Sequence, residues 1–184
     1  ITTEYLYDNM GNMTRVLRGK GSSDERATDY VYDGRGRMTK ETEYPNWTST
    51  TVKLIRTHGY DKADNQTSLL DPLNKTTTYA YDALNRNTGI TYASATTPNV
   101  TYGYDANGNR TSMVDGTGTT TYTYDEMDRL LTVTTPGSVV VAYRYDVGSN
   151  RTKIIYPDTT AVNYTYDKAN RMSTVVDWAS RTTG

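Results

Sequence analysis

Tyrosine, threonine and valine alternate with polar or small residues along most of this chain, and the alternation stops at regular intervals. Each stop is a Tyr-Asp pair: Tyr7 and Asp8, Tyr32 and Asp33, Tyr60 and Asp61, Tyr81 and Asp82, Tyr104 and Asp105, Tyr124 and Asp125, Tyr145 and Asp146, Tyr166 and Asp167. With the Tyr of each pair as position 0, position −2 holds Tyr5, Tyr30, Tyr79, Tyr102, Tyr122, Tyr143 and Tyr164, and His58 in the remaining copy. Position −4 holds Thr3, Thr28, Arg56, Thr77, Val100, Thr120, Val141 and Val162. A period of two with one covered face predicts a β-strand. The copies follow one another at 25, 28, 21, 23, 20, 21 and 21 residues, the mark of a repeat architecture.

The residues after each Tyr predict a turn. Asp favours the first turn position because its carboxylate accepts backbone N–H groups two residues on. Position 4 is Gly11, Gly36 or Gly108, or else Asp64, Asn85, Asp128, Ser149 or Asn170, mostly types that tolerate a left-handed backbone. A four-residue loop would pair position 0 with position 5: Tyr104 with Asn109, Tyr102 with Thr111 and Val100 with Met113. That register sets position 9 on the Tyr face, where Val16, Leu69, Ile90, Met113, Val133, Ile154 and Val175 are apolar and only Glu41 is not. It also sets position 7, mostly Thr, on that face. A slip of one residue would instead bring Arg15, Lys40 and Lys153 beside the tyrosines, so the first register is expected.

A second set of turns, in "DPLN", "DGTG", "TPGS" and "YPDT", closes the repeats at the opposite end. Each repeat is then two strands and two turns, and eight give about sixteen strands, a ribbon on the order of 75 Å along the stacking direction. The longer inserts, 17–27 and 44–54, fall at that opposite end. Position 5 alternates strictly: Asn12, Arg37, Asn65, Arg86, Asn109, Arg129, Asn150, Arg171. Stacked in register, each Arg lies between Asn neighbours and beside a Tyr, which avoids a column of like charge and offers cation–π contact.

Composition sharpens this picture. Leu, Ile and Val together number 27 of 184 residues, with no Phe and no Cys, while 18 Tyr and 35 Thr supply strand formers in their place. The expected fold is all-β, tandem antiparallel β-hairpins stacked into a twisted or spiralling ribbon with a thin, Tyr-lined core. A net charge of −1 gives no electrostatic reason to bind nucleic acid, and no apolar run reaches the length of a membrane span. Residues 1–184 are expected to be a single array of eight repeats, cut from a longer one.

At the Tyr-Asp copies the sequence resembles the RHS or YD-repeat family, whose consensus runs "Y-x-YD-x-x-G-R-L-T" about every 21 residues. That resemblance covers nearly the whole chain. It implies a β-ribbon that spirals into a hollow shell, as in bacterial polymorphic toxins, the C component of insecticidal toxin complexes, wall-associated proteins and teneurins. It also implies an extracellular or cell-surface location. The aspartyl autoprotease of several relatives has no counterpart here, since "DPLN" at Asp71 reads as a repeat turn, and no toxin cargo is visible.

The candidate chemistry is sparse. The Asp of "DANGN" faintly suggests a calcium loop, but the several oxygen ligands and bidentate Glu of such a loop are missing. His58 has no metal or triad partner in sequence and is expected to pack in a Tyr position. No catalytic residue, metal or cofactor is therefore expected, and the sixteen Tyr and Asp residues of the pairs are assigned a structural role. Trp47 and Trp178, in expected loops, are the candidates for ligand contact with a glycan. Eight Asn-x-Thr sequons occur, four of them inside the repeat consensus at Asn12, Asn65, Asn109 and Asn150, and so they say little about glycosylation. Three functions follow: a structural segment of an extracellular shell or stalk, a glycan- or cell-binding adhesin module, and a self-assembling β-filament. The expected partners are further YD repeats of the same or another chain, with glycan as the second class. The stretches "ITTEYLYD" and "MSTVVDW" are the expected terminal edge strands.

Overall fold

The structure, a computed structural model, describes residues 2–45 and 53–183. Among them lie seventeen strands and no helix, in two compact units. The first unit, Ile1–Pro98, holds β1 (Thr3–Tyr7), β2 (Met13–Arg18), β3 (Arg26–Tyr32), β4 (Met38–Tyr44), β5 (Leu54–Tyr60), β6 (Gln66–Leu70), β7 (Thr76–Tyr81) and β8 (Asn87–Tyr92). The second, Asn99–Gly184, holds β9 (Val100–Tyr104), β10 (Arg110–Asp115), β11 (Gly118–Tyr124), β12 (Leu130–Thr135), β13 (Val139–Tyr145), β14 (Arg151–Ile155), β15 (Ala161–Tyr166), β16 (Met172–Val176) and β17 (Thr182–Thr183). Within each unit every strand pairs antiparallel with the next, from β1 to β8 and from β9 to β17.

Period-two patterning survives as a two-sided sheet. Along β11, exposed Thr119, Thr121 and Thr123 alternate with buried Thr120 and half-buried Tyr122 and Tyr124. The core is thin: among the described residues the buried apolar side chains are Val16, Ala27 and Val162, and no large side chain is fully enclosed.

Hairpin register differs from the sequence expectation. Position 0 pairs with position 6, as in Tyr104 with Arg110 and Tyr145 with Arg151, whereas position −2 pairs with position 9, as in Tyr102 with Met113 and Tyr143 with Ile154. Two local departures produce this. The loop is one residue shorter than expected: the Asp8 N–H donates to the Asn12 carbonyl at 2.9 Å, and the Gly11 N–H donates to the Asp8 carbonyl at 3.1 Å. This is a type I turn followed by a left-handed residue, the common three-residue hairpin loop. A bulge then opposes positions 7 and 8 to position −1 alone. Thr165 Oγ1 accordingly lies 2.7 Å from both Ser173 Oγ and Thr174 Oγ1.

The Thr of position 7 therefore stands on the outer face rather than beside the tyrosines. Position 6 joins the Tyr face instead, where Arg110 lies over the Tyr102 ring at 4.7 Å and Arg151 over the Tyr164 ring at 5.2 Å. The two one-residue shifts cancel in parity, so the apolar position 9 keeps the expected face.

At the opposite edge "DPLN" makes the same loop, with Asp71 N–H to Lys75 O at 2.9 Å and Asn74 at φ 57°. The strand in "MSTVVDW" is not an edge: β16 pairs with β15 on one side and β17 on the other. The segment 46–52 lies outside the described residues.

The bulge makes a prediction at position −1. A Cβ on Gly103 would clash with Ser112 Oγ unless that short side chain turns to another rotamer, while Thr123 occupies the same place beside Thr132 in the following repeat. Because Gly in a strand interior costs about 0.5–1 kcal/mol relative to Ala, Gly103→Ala is expected to stabilise the chain by about that amount in thermal or urea melts.

Candidate functional site

The Tyr-Asp edge is the most regular surface of the molecule, and each of its residues has a definite task. Position 4 is left-handed in every copy, at φ 83°, 76°, 68°, 59°, 96°, 58°, 64° and 57° for Gly11, Gly36, Asp64, Asn85, Gly108, Asp128, Ser149 and Asn170. The Asp carboxylate closes the loop around that residue. Asp125 Oδ1 accepts the Met127 and Arg129 N–H groups, both at 3.0 Å, and its Oδ2 accepts Arg129 Nε at 2.7 Å. In the Asn copies the side-chain amide takes the same place, with Asn12 Nδ2 at 2.9 Å from Asp8 Oδ2. Asn and Arg are thus interchangeable donors to one carboxylate. No signal in the alternation alone revealed that partner.

The same donor reaches the next repeat. Arg37 Nη1 donates to the Asp61 carbonyl at 2.8 Å and to Asp64 Oδ1 at 2.7 Å, and Arg129 Nη1 donates to the Asp146 carbonyl at 2.8 Å. Asn65 Nδ2 donates to Asn85 Oδ1 at 2.8 Å, and Asn109 Nδ2 to Asp128 Oδ1 at 2.6 Å. Each of these two Arg side chains also covers the position 0 ring of the next repeat, Arg37 over Tyr60 and Arg129 over Tyr145, both at 4.9 Å.

Position 0 binds backwards. The Tyr hydroxyl donates to the position 6 carbonyl of the preceding hairpin, next to its bulge: Tyr32 to Met13 at 3.0 Å, Tyr60 to Met38 at 2.8 Å, Tyr81 to Gln66 at 3.0 Å and Tyr145 to Leu130 at 3.0 Å. A bulge interrupts the ladder locally, and the phenol supplies a donor beside that gap.

Among the described residues no three His, Cys, Asp or Glu side chains converge as a metal site. His58 takes its Tyr position with both ring nitrogens buried and no hydrogen-bond partner among the described residues. Trp47 lies outside the described residues, whereas Trp178 is exposed on the β16–β17 turn with its ring 6.0 Å from that of Tyr156.

Two outcomes test the turn edge. Tyr145→Phe removes one inter-repeat hydrogen bond and is expected to cost about 0.5–1.5 kcal/mol in urea melts. Acid tests the carboxylates. The Arg37 side chain holds Asp33 down at about 2, and the Asn12, Asn65 and Asn150 amides lower Asp8, Asp61 and Asp146. The Arg86, Arg129 and Arg171 backbone N–H groups do the same for Asp82, Asp125 and Asp167. The unfolded chain binds these protons first, so the turns contribute fully above the ordinary carboxyl pKa and lose their contribution as pH falls through the folded values. The melting temperature should stay level down to about pH 5 and fall steeply between about pH 4 and pH 2.

The sequence profile described as RHS Repeat matches residues 60–97, 104–140 and 128–161, just over half of the chain. No curated protein sequence matches it. Among solved structures, the chain is similar to the Photorhabdus luminescens Tc holotoxin pore with a TccC3 mutation, at a TM-score of 0.74 and 21% identity over 93% of this chain and 10% of that one. It is also similar to the TcdB2-TccC3-TEV structure, at 0.70 and 16% over 95% and 10%, and to TcdB2-TccC3-Cdc42, at 0.62 and 14% over 94% and 12%. The chain therefore spans about a tenth of the length of these structures. Matching profile, antiparallel hairpin ladders and a Tyr-Asp turn in every repeat lead to one conclusion: this chain belongs to the RHS repeat family.

Proposed function

We propose that this structural repeat segment forms part of an extracellular β-ribbon whose repeats build a protective shell or stalk, and that it performs no chemistry of its own. One observation carries the reading: the motif side chains are bonded to their own turn or to a neighbouring repeat. Arg37 and Arg129 reach forward to the following turn, and Tyr60 and Tyr145 reach back to the preceding bulge. A catalytic carboxylate needs an oxygen turned toward substrate, whereas both oxygens of Asp125 are engaged within the loop. The sixteen Tyr and Asp residues of the pairs are accordingly structural.

On this reading residues 1–184 are one array of eight repeats and part of a longer one. Its partners are further repeats, added along the strand edges that end each ladder. Similarity to portions of much larger toxin-complex chains supports both points, and a secreted or surface location is part of the same proposal.

Electron cryo-microscopy of the natural protein carrying this segment tests the proposal. These repeats should lie in the wall of a hollow body, one sheet thick. A solid domain packed around a substrate pocket, or a hydrolytic activity lost in Asp105→Ala with stability unchanged, would overturn it. Sedimentation of the isolated chain across a hundredfold concentration range tests edge addition separately. Association should rise with concentration, and a strictly monomeric profile would rule out that partner mode.

A further inference from the structure

The edge opposite the Tyr-Asp pairs follows the turn rule less strictly, and the β14–β15 loop is one departure. The β14–β15 loop has the usual closure, with Tyr156 N–H to Thr160 O and Thr159 N–H to Tyr156 O, both at 2.9 Å. Yet its first position holds Tyr156, where Asp8, Asp71 and Asp177 stand in other loops of this kind. The carboxylate has moved to the third position. Asp158 Oδ1 accepts the Thr160 N–H at 3.0 Å and the Thr160 hydroxyl at 2.6 Å, and among the described residues Oδ2 has no donor. The Thr160 hydroxyl and N–H lower the Asp158 pKa, so the free oxygen carries charge at neutral pH.

The neighbouring loop, Asp177 to Arg181, presents Trp178 in its second position. Asp177 fixes that loop tightly, since its Oδ1 accepts the Ala179 and Arg181 N–H groups, both at 2.9 Å, and its Oδ2 accepts Arg181 Nε at 2.6 Å. The Trp178 ring is 58% exposed and meets Tyr156 edge-on, at 6.0 Å and 83°. Tyr156, Pro157, Asp158, Thr160 and Trp178 line a shallow, open cleft of about 320 Å³ on the sheet edge. Two aromatic rings meet edge to face along it, and Asp158 lines the same cleft.

We propose that this corner is a binding site for a neutral sugar, a single pyranose ring of an oligosaccharide. A pyranose has an apolar C–H face that stacks on an exposed aromatic ring, and hydroxyls at its rim. The free Asp158 oxygen accepts one of those hydroxyls in a charge-assisted bond. Anions are repelled by the same oxygen. A hydrophobic peptide side chain would leave a carboxylate desolvated without a donor. A small ammonium ion would fill only part of the cleft. Both loops are closed by their own hydrogen bonds, so the rings are held before ligand arrives and little ordering entropy is lost on binding. The site makes no use of the Tyr-Asp edge and stands apart from the shell reading.

Heteronuclear NMR of the whole chain supplies the test, read from the backbone amides of Thr159, Thr160 and Ala179. The probes are methyl β-D-galactopyranoside, methyl β-D-glucopyranoside and chitotriose, with choline chloride as the cationic control. At least one sugar should shift these amides saturably and leave those of the Asp71–Lys75 loop unmoved. Asp158→Asn retains an acceptor for Thr160 but loses the charge, and should weaken binding about tenfold. Trp178→Ala, at an exposed turn position and checked for folding by circular dichroism, should abolish the shift, whereas Leu73→Ala on the other loop should leave it intact. Absence of a saturable shift with all three sugars, a shift retained in Trp178→Ala, or saturation by choline in place of sugar would overturn the proposal.

Discussion

Among the described residues each strand packs only on the strands beside it in its ladder, so no core across the sheet faces holds a unit together, and the rest of the structure answers that constraint. Burying apolar area is the main driving force of ordinary folds, yet here only Val16, Ala27 and Val162 are buried among the apolar side chains of the described residues. Cohesion must come from neighbour to neighbour along the stack. The Tyr of position 0 meets that need twice over. Its ring covers the thin face, at Tyr60 and Tyr145 beneath an Arg of the previous repeat, and its hydroxyl bonds the carbonyl beside that repeat's bulge. Phenylalanine could supply the ring but not the bond. The composition agrees, with 18 Tyr and no Phe.

Stability of this kind is a sum of near-neighbour terms, as in other repeat proteins. Position 5 makes the terms directional: each Arg or Asn ties its own loop shut through the Asp carboxylate and, where the bond reaches across, touches only the next loop. Such contacts are individually modest at an exposed edge. Their regular recurrence sets the register of one hairpin on the next, so a sequence with little hydrophobic mass still specifies one stacking.

Fold class, strand positions and turn positions were legible in the sequence because period-two alternation and the Asp-x-x-Gly pattern each have one physical reading. The register was not. A regular pairing and the observed pairing both put position 9 beside the tyrosines, because the short loop and the bulge shift the strand by one residue each. Hydrophobic patterning reports parity alone and cannot see two shifts that cancel. Thr111 and its equivalents could have betrayed the bulge only through a reason for Thr on the outer face, and a β-branched polar residue suits either face of a sheet. The hydroxyl acceptors of the tyrosines were hidden for the same reason, since the bulge places their carbonyls. Trp178 could be picked out as a loop residue, but Tyr156 read only as the opening residue of the "YPDT" turn, and only the adjacency of two loops brings the rings together.

The two edges of the sheet consequently face different demands. On the Tyr-Asp edge a change at position 0, 1 or 5 breaks bonds within a loop and bonds to a neighbour, so every copy is constrained to nearly the same residues. The opposite edge carries fewer of these obligations: its loops range from the two-residue turn between Asp115 and Gly118 to the longer connection after Arg18, and Asp, Thr or Tyr can open them. Thr159, a β-branched residue held at φ 70°, marks a loop on that side where the backbone tolerates strain that the Tyr-Asp loops relieve with Gly, Asn, Asp or Ser. A repeat array can therefore alter what it presents to its surroundings on one edge without altering how it stacks, and the Tyr156–Trp178 corner occupies the edge where such change is structurally cheap.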